Sequence, residues 1–457
     1  MSTVKQDDGG ADGAGEDYLS RFEARTPKSK ALYEDARRYT PGGIHHNQRY
    51  TAPYPVYMVR SAGSRVWDVD GNEYIDLWMG HGDAILGHAP QEVVRRVQEV
   101  AADGLHIGHT LENEVALARM ICETIPSAEQ VRFCVTGTEA TMYAVRLARA
   151  FTGRNVMLKL TGGWHGANTE LMVDVNPPEF IGPESRGMMP ELTTHTRTVQ
   201  INDIEGTAAV IREAGDDFAG IILAPVLGGG SLIPADPEYL GFLREETRKA
   251  GAVLIFDEIV TGFRLGLGGA QEKYGVRPDL TTFGKIIGGG TPLGVIAGRA
   301  DMLELSSVRR TVSKAEKVLI GGGTYSCNPL SMAAGLATLE ILIRGEAEIY
   351  PTLEKRATRL VTGVQRAFDE AGVPLRAANE GSMVGFSFLK EPGLPIRDMD
   401  EAVANTIPEK MAELGGRLRS RGVFIYKGGT LSIEHTDEDI AALTDAFAAC
   451  AREMAAG

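Results

Sequence analysis

A chain of 457 residues is long for a single hydrophobic core and predicts two or three lobes. Apolar residues make up 43% and charged residues 24%, and no stretch approaches the ~18 apolar residues a membrane helix needs. A net charge of −14 argues against a nucleic-acid surface, which requires clustered Lys and Arg.

The chain opens with MSTVKQDDGGADGAGE, rich in Gly and Asp and without the apolar centre of a signal peptide. A disordered tail over residues 1–16 and a cytoplasmic protein are expected. Residues 17–75 are expected to form an N-terminal arm and part of a small domain. Within and just beyond that span, SRVWDVDGNEYIDLW (64–78) reads as a hairpin turning at Asp70-Gly71. The four cysteines, Cys122, Cys134, Cys327 and Cys450, form no CxxC pair. They read as free thiols, not as metal ligands or a disulfide framework.

Residues 76–340 are expected to form a large domain. Its candidate strands are VRFCV (131–135), NVMLKL (155–160), RTVQI (197–201), GIILAPV (220–226), AVLIFD (252–257), DLTTF (279–283) and LGVIAG (293–298). Helical stretches lie between them, such as Glu139 to Phe151, Glu205 to Ala214 and Pro237 to Ala250. Continuous apolar strands separated by helices predict an α/β fold, with a largely parallel sheet covered on both faces. Ligands in such sheets sit beyond the carboxyl ends of the strands. A long apolar helix over 328–343 closes this part. Residues 341–457, with strands at 382–388 and 430–435, predict a smaller α+β domain.

Several residues in this frame could carry chemistry. Asp257 ends the strand AVLIFD, and Lys285 follows the next strand 28 residues later, within TTFGKIIGGG. Both side chains could reach one cavity, and taken alone they read equally well as a salt bridge. TGTEA (136–140) follows a strand and opens a helix. Its amides could bind an anion at the positive end of the helix dipole, or its threonines could simply cap the helix. GGWHG (162–166) brackets Trp164 and His165 with glycines, so the ring could cover a planar ligand or lie in the core. Thr324 is a hydroxyl in another glycine-rich loop. Together these residues meet the needs of one ligand. A lysine offers an imine-forming amine, and an aspartate favours a protonated pyridine nitrogen. A helix N-terminus takes a phosphate, and an aromatic covers a ring. That ligand is pyridoxal 5′-phosphate, an electron sink for a carbanion.

On these residues the chain resembles the class III aminotransferases, of fold type I among pyridoxal-phosphate enzymes, and most closely their glutamate-1-semialdehyde 2,1-aminomutase-like branch. The resemblance rests on TPGG (40–43), VWDVDGNEYID (66–76), ILGH (85–88), TGTEATMYAVRLAR (136–149), FDEIVTGFR (256–264), LTTFGKIIGGGTPLG (280–294) and NPLSMAAG (328–335). It implies a mixed, mostly parallel seven-stranded sheet. It implies that Lys285 forms the Schiff base and shuttles the proton, and that Asp257 pairs with the ring nitrogen. Ile259 would pack under the ring, Trp164 would stack on it with His165 beside, and Gly137 and Thr138 would bind the phosphate. Thr324 would reach the phosphate of the neighbouring subunit in a homodimer. Arg49, eight residues after Pro41, matches an arginine that holds substrate carboxylate in this branch.

The departures bear on substrate. Ala224-Pro225-Val226 stands where the family has Glu-Pro-Val, and Leu227-Gly228-Gly229 lacks its Gln or Asn for the ring hydroxyl. His81 replaces an aromatic of the aminomutase, and His45 and His46 precede Arg49. If His46 and His81 line the pocket with Arg49, it is more polar than usual, suiting a hydroxylated, acidic or cyclic oxo substrate. The expected activity is amino transfer from an amino acid donor to a keto or aldehyde acceptor. The alternatives are an intramolecular aminomutase or an amino-acid epimerase on the same residues, and a catalytically silent cofactor-binding protein.

Overall fold

The computed structural model describes residues 15–180, 182–228, 232–310, 312–426 and 428–456. The tail expected over 1–16 therefore lies outside the described residues, save its last two positions, where helix Gly15–Arg25 begins.

Three strands come first, β1 (Met58–Ala62), β2 (Arg65–Asp68) and β3 (Glu73–Asp76). β2 and β3 form the expected hairpin, with Gly71 at φ 91° in its turn. Next come β4 (Gln130–Cys134), β5 (Val156–Leu160), β6 (Thr196–Val199) and β7 (Phe218–Leu223). A short hairpin, β8 (Val226–Leu227) with β9 (Ile233–Pro234), precedes β10 (Val253–Asp257), β11 (Leu280–Phe283) and β12 (Gly294–Gly298). The last strands are β13 (Leu375–Glu380), β14 (Met383–Phe388), β15 (Val423–Phe424) and β16 (Gly428–Thr430).

Seven strands make the main sheet, in the order β4-β12-β11-β10-β7-β5-β6. β12 runs against both its neighbours, β4 and β11, and the remaining pairings are parallel. Every residue of β5, β7, β10, β11 and β12 is buried, so alternation is absent and the apolar runs are continuous. Helices Gly137–Thr152 and Pro237–Ala250 pack on this sheet. Each leucine or isoleucine so buried contributes ~1.5–3 kcal/mol. Helix Pro329–Arg344 is apolar almost all round because helices Gln91–Asp103 and Glu112–Thr124 cover it.

β15 adds to β3 in parallel, Val423 opposite Ile75, so residues from both ends of the chain share a four-stranded sheet. β13, β14 and β16 form a separate three-stranded sheet. The strand expected over 430–435 is a correction: pairing stops at Thr430. The ring Nδ1 of His435 accepts from Ser432 N at 3.0 Å, a local bond that turns the chain. Thr436 and Asp439 then cap helix Asp437–Ala456 reciprocally.

Candidate active site

Asp257 is the last residue of β10 and pairs in register with Thr282 of the adjacent β11. Lys285 follows β11 after one extended residue, Gly284. Adjacent parallel strands thus deliver a carboxylate and an amine to the same carboxyl edge of the sheet. Lys285 sits at φ 53°, a left-handed conformation uncommon for a side-chain-bearing residue. The short turn Lys285–Gly288 ends at Gly289, also left-handed, where an added Cβ would stand 2.6 Å from the Ala334 carbonyl oxygen. Glycine is required there for the helix to approach. Burial, then the nearby Arg264 guanidinium, pushes the Lys285 amine down to about 8, against the pull of Asp257 and Asp83.

The Asp257 carboxylate is fully engaged on its own side. One oxygen accepts from Thr282 Oγ1 and from Ile259 N, both at 3.2 Å, and the other accepts from His165 Nδ1 at 2.6 Å. His165 is 1% exposed, and its Nε2 is buried without a partner among the described residues. Trp164, next to it, is 55% exposed and lines a cleft of about 320 Å³ with Lys285, Val260, His81, Trp78 and Tyr426.

Thr136 caps helix Gly137–Thr152 through a capping box with Glu139, so the capping alternative is correct for Thr136. It does not use up the helix end. The Gly137 and Thr138 amides have no acceptor among the described residues, and the Ile259 side chain fills the space a Gly137 side chain would need. Thr138 Oγ1 accepts from Ala167 N at 3.1 Å, tying this helix end to the loop that carries Trp164 and His165.

The two remaining predicted groups lie apart from this centre. Arg49 is exposed at the end of the turn Asn47–Arg49, where the His46 ring accepts from Gln48 N at 3.3 Å. Arg49 forms no ion pair among the described residues. Thr324 is exposed and does not line the cleft of its own chain. Ala224 follows β7 directly, Leu227 pairs with Ile233 in the β8–β9 hairpin, and Gly229 lies outside the described residues.

Reading the sequence named His81 for the pocket wall, and His81 lines the cleft, but it missed two elements around it. The first is the turn Met79–Gly82, where four successive residues are left-handed, at φ 45°, 64°, 67° and 80°. Met79 and His81 carry side chains there, at ~1–2 kcal/mol of strain each. The Asp76 carboxylate holds the turn by accepting from Trp78 N at 2.8 Å and Met79 N at 3.1 Å. Fully buried Arg264 donates to the Gly82 carbonyl and, at 3.0 Å, to Ser382 Oγ. Burial pushes the Asp83 carboxyl up to about 6 and the His81 ring down to about 4, the latter helped by His46, Arg49 and Lys285. Alternating Gly80 and Gly82 around His81 was the only local signal. The second element is Tyr426, which arrives from the C-terminal part of the chain.

Glu258, beside Asp257, has a structural task. Fully buried, it accepts from Thr261 Oγ1 at 3.0 Å and from the Ala270 and Gln271 amides at 2.6 and 3.3 Å. The Gln271 side chain adds a bond at 3.1 Å. Glu258→Ala strands these donors and is expected to cost ~2–4 kcal/mol in denaturant unfolding, with Glu258→Gln recovering part of it.

Residues 46–450 match the family model described as aminotransferase class-III. The chain belongs to the class-III aminotransferases. It is 38% identical over 423 residues to a glutamate-1-semialdehyde 2,1-aminomutase of Methanobrevibacter smithii, covering 92% of this chain and 97% of that one. Its fold superposes on an omega-transaminase of Sphaerobacter thermophilus with a TM-score of 0.86, at 35% identity over 94% of this chain and 98% of the other. A transaminase solved with pyridoxal phosphate bound gives a TM-score of 0.83 at 32% identity, with the same coverages.

Class-III aminotransferases are pyridoxal-phosphate enzymes, and pyridoxal 5′-phosphate is the cofactor of this one. The residues fit it. A buried amine, a buried carboxylate, an unpartnered buried His165 Nε2 and two unpaired amides at a helix N-terminus converge on one edge of the sheet. Among the described residues no helix is long and apolar enough to cross a membrane.

Proposed function

We propose that this enzyme moves an amino group between an amino acid donor and a keto or aldehyde acceptor, at least one of them bearing a carboxylate. The observation that carries this reading is Lys285, a buried amine at about 8 just past the strand beside that of Asp257. When bound, the cofactor's protonated ring supplies an electron sink for a carbanion. At neutral pH a usable fraction of Lys285 is unprotonated, and its amine would take a proton from the substrate carbon and return it two atoms away, at the carbon on the cofactor side of the substrate nitrogen. Asp257, its carboxylate held by three donors, would face the ring nitrogen. Gly137 and Thr138 would hold the phosphate, and Trp164 and Ile259 would cover the two faces of the ring. Arg49, free of any ion pair among the described residues, would clamp a substrate carboxylate with its guanidinium fork.

We further propose a homodimer in which Thr324 reaches the neighbouring subunit's phosphate. Its exposure, beside Tyr325 at 61% and Leu319 at 69%, supports a surface that a second copy covers. Four free cysteines suit a reducing, cytoplasmic setting.

A second reading, an intramolecular aminomutase, is favoured by the 38% identity to the glutamate-1-semialdehyde enzyme over nearly its whole length. An epimerase would use the same residues. One experiment separates these readings from amino transfer. Turnover that stops when the oxo acceptor is withheld supports amino transfer. Complete conversion of a single amino compound into an isomer, with no acceptor present, overturns it.

A further inference from the structure

The turn Met79–Gly82 and the residue before it, Trp78, bring two rings to the cleft. His81 lies 4.5 Å from Trp78, centroid to centroid, and 4.9 Å from His46. Trp78 in turn meets Tyr426 edge-to-face at 4.8 Å and 64°. A backbone left-handed over four residues, pinned by Asp76 and Arg264, is an unusual means of placing side chains. Its result is an aromatic wall with polar tips. Neither His81 nor Tyr426 spends a side-chain hydrogen bond on any described residue, so both keep donors and acceptors for a ligand. Val260, Leu232 and Met383 add apolar surface to the same cleft.

Charge limits what this wall can receive. Burial, helped by the neighbouring His46, Arg49 and Lys285, pushes the His81 ring down to about 4, so it is neutral at pH 7. Arg264 already serves the Gly82 carbonyl and Ser382. Of the arginines near the turn, that leaves Arg49, next in the chain to the cleft-lining Gln48, to meet a carboxylate. Among the described residues the inner wall offers an edge, a face and neutral hydrogen bonds, and Lys285 is the one cationic side chain that lines it.

Resting on the amino-transfer reading of this cleft, we propose that Trp78, His81 and Tyr426 form a specificity subsite for a planar, hydrogen-bonding ring. The substrate is then an amino acid, or its oxo partner, with one carboxylate and an aromatic side chain, not a dicarboxylate. Aromatic pairs add to burial through edge-to-face contact, and Trp78 and Tyr426 present that geometry.

The test uses the holoenzyme and unreactive carboxylates, with affinity read by calorimetry. 3-Phenylpropanoate is expected to bind roughly tenfold more tightly than butanoate, and 3-(3-hydroxyphenyl)propanoate more tightly still. Tyr426→Leu should remove most of the phenyl preference, and Tyr426→Phe should keep it. His81→Leu should erase only the hydroxyl increment. Equal affinity for phenylpropanoate and butanoate, or tighter binding of glutarate than of either, overturns the subsite. So does a Tyr426→Leu holoenzyme that keeps the full preference. These measurements need no turnover. Selective ring binding in a protein that transfers no amine would refute the amino-transfer reading and leave the subsite standing.

Discussion

Lys285→Ala is expected to abolish turnover, losing at least the ~10²–10⁴-fold that a positioned proton-transfer group supplies. The visible absorbance of the lysine-bound cofactor should shift as well, because no other amine lines the cleft among the described residues. Unchanged turnover and spectrum would remove Lys285 from the chemistry. The same residue also carries a stability signature with a definite sign. Its folded amine titrates at about 8, against 10.5 for an exposed lysine. Between those values the unfolded chain binds a proton that the folded chain does not, so stability rises with pH across that window. Below about pH 8 both forms are protonated, and the penalty for a buried cation is complete. It amounts to at most ~3 kcal/mol, reduced by water reaching the amine through the cleft. Lys285→Met, close in volume and uncharged, should therefore unfold at higher denaturant than wild type in the cofactor-free protein at pH 7. The two proteins should converge above about pH 10.5. A gap that stays constant from pH 7 to alkaline pH would show that the amine is not held down by burial.

Why Lys285 and Asp257 were legible in the sequence, and the aromatic wall was not, follows from how each is positioned. Strands buried on both faces write themselves as unbroken apolar runs, so the five central members of the main sheet, β10 and β11 among them, could be found and their carboxyl ends located. Asp257 and Lys285 follow from that alone, one strand apart. The N-terminal end of helix Gly137–Thr152 was readable only as a choice between capping and ligand binding. The structure uses different groups of one segment, the Thr136 hydroxyl for the cap and the Gly137 and Thr138 amides left over. By contrast, the direction of the His81 ring depends on four left-handed residues held by Asp76 and by Arg264, which lies far along the chain. Tyr426 meets Trp78 only because β15 adds to β3. No local pattern encodes either contact. The misplaced strand at 430–435 has the opposite cause: an apolar alternation was present, but the His435–Ser432 bond overrode it.

Asp257→Asn tests the second half of the proposed catalytic pair, and a fall in turnover of ~10²–10³-fold is expected. The substitution keeps shape and removes charge. In the native carboxylate one oxygen takes two donors, Thr282 Oγ1 and Ile259 N, while the other takes His165 Nδ1. An asparagine cannot accept on both sides. If its carbonyl keeps His165, its NH₂ faces the Ile259 amide, donor against donor. The Thr282 hydroxyl can rotate to accept, but the backbone N–H cannot. Reversing the side-chain amide moves the clash to His165, which is free to shift its proton to Nε2 and accept through Nδ1. The reversed orientation is therefore the one expected, with His165 forced into the other tautomer. His165→Asn leaves the charge of Asp257 in place and removes only its orienting partner, so ~10–100-fold is expected there. The ranking is the test, together with cofactor affinity in each variant. If Asp257 acts by its charge, Asp257→Asn must lose more turnover than His165→Asn at saturating cofactor. Equal losses that vanish when cofactor is added in excess would mean that both residues merely hold the site together.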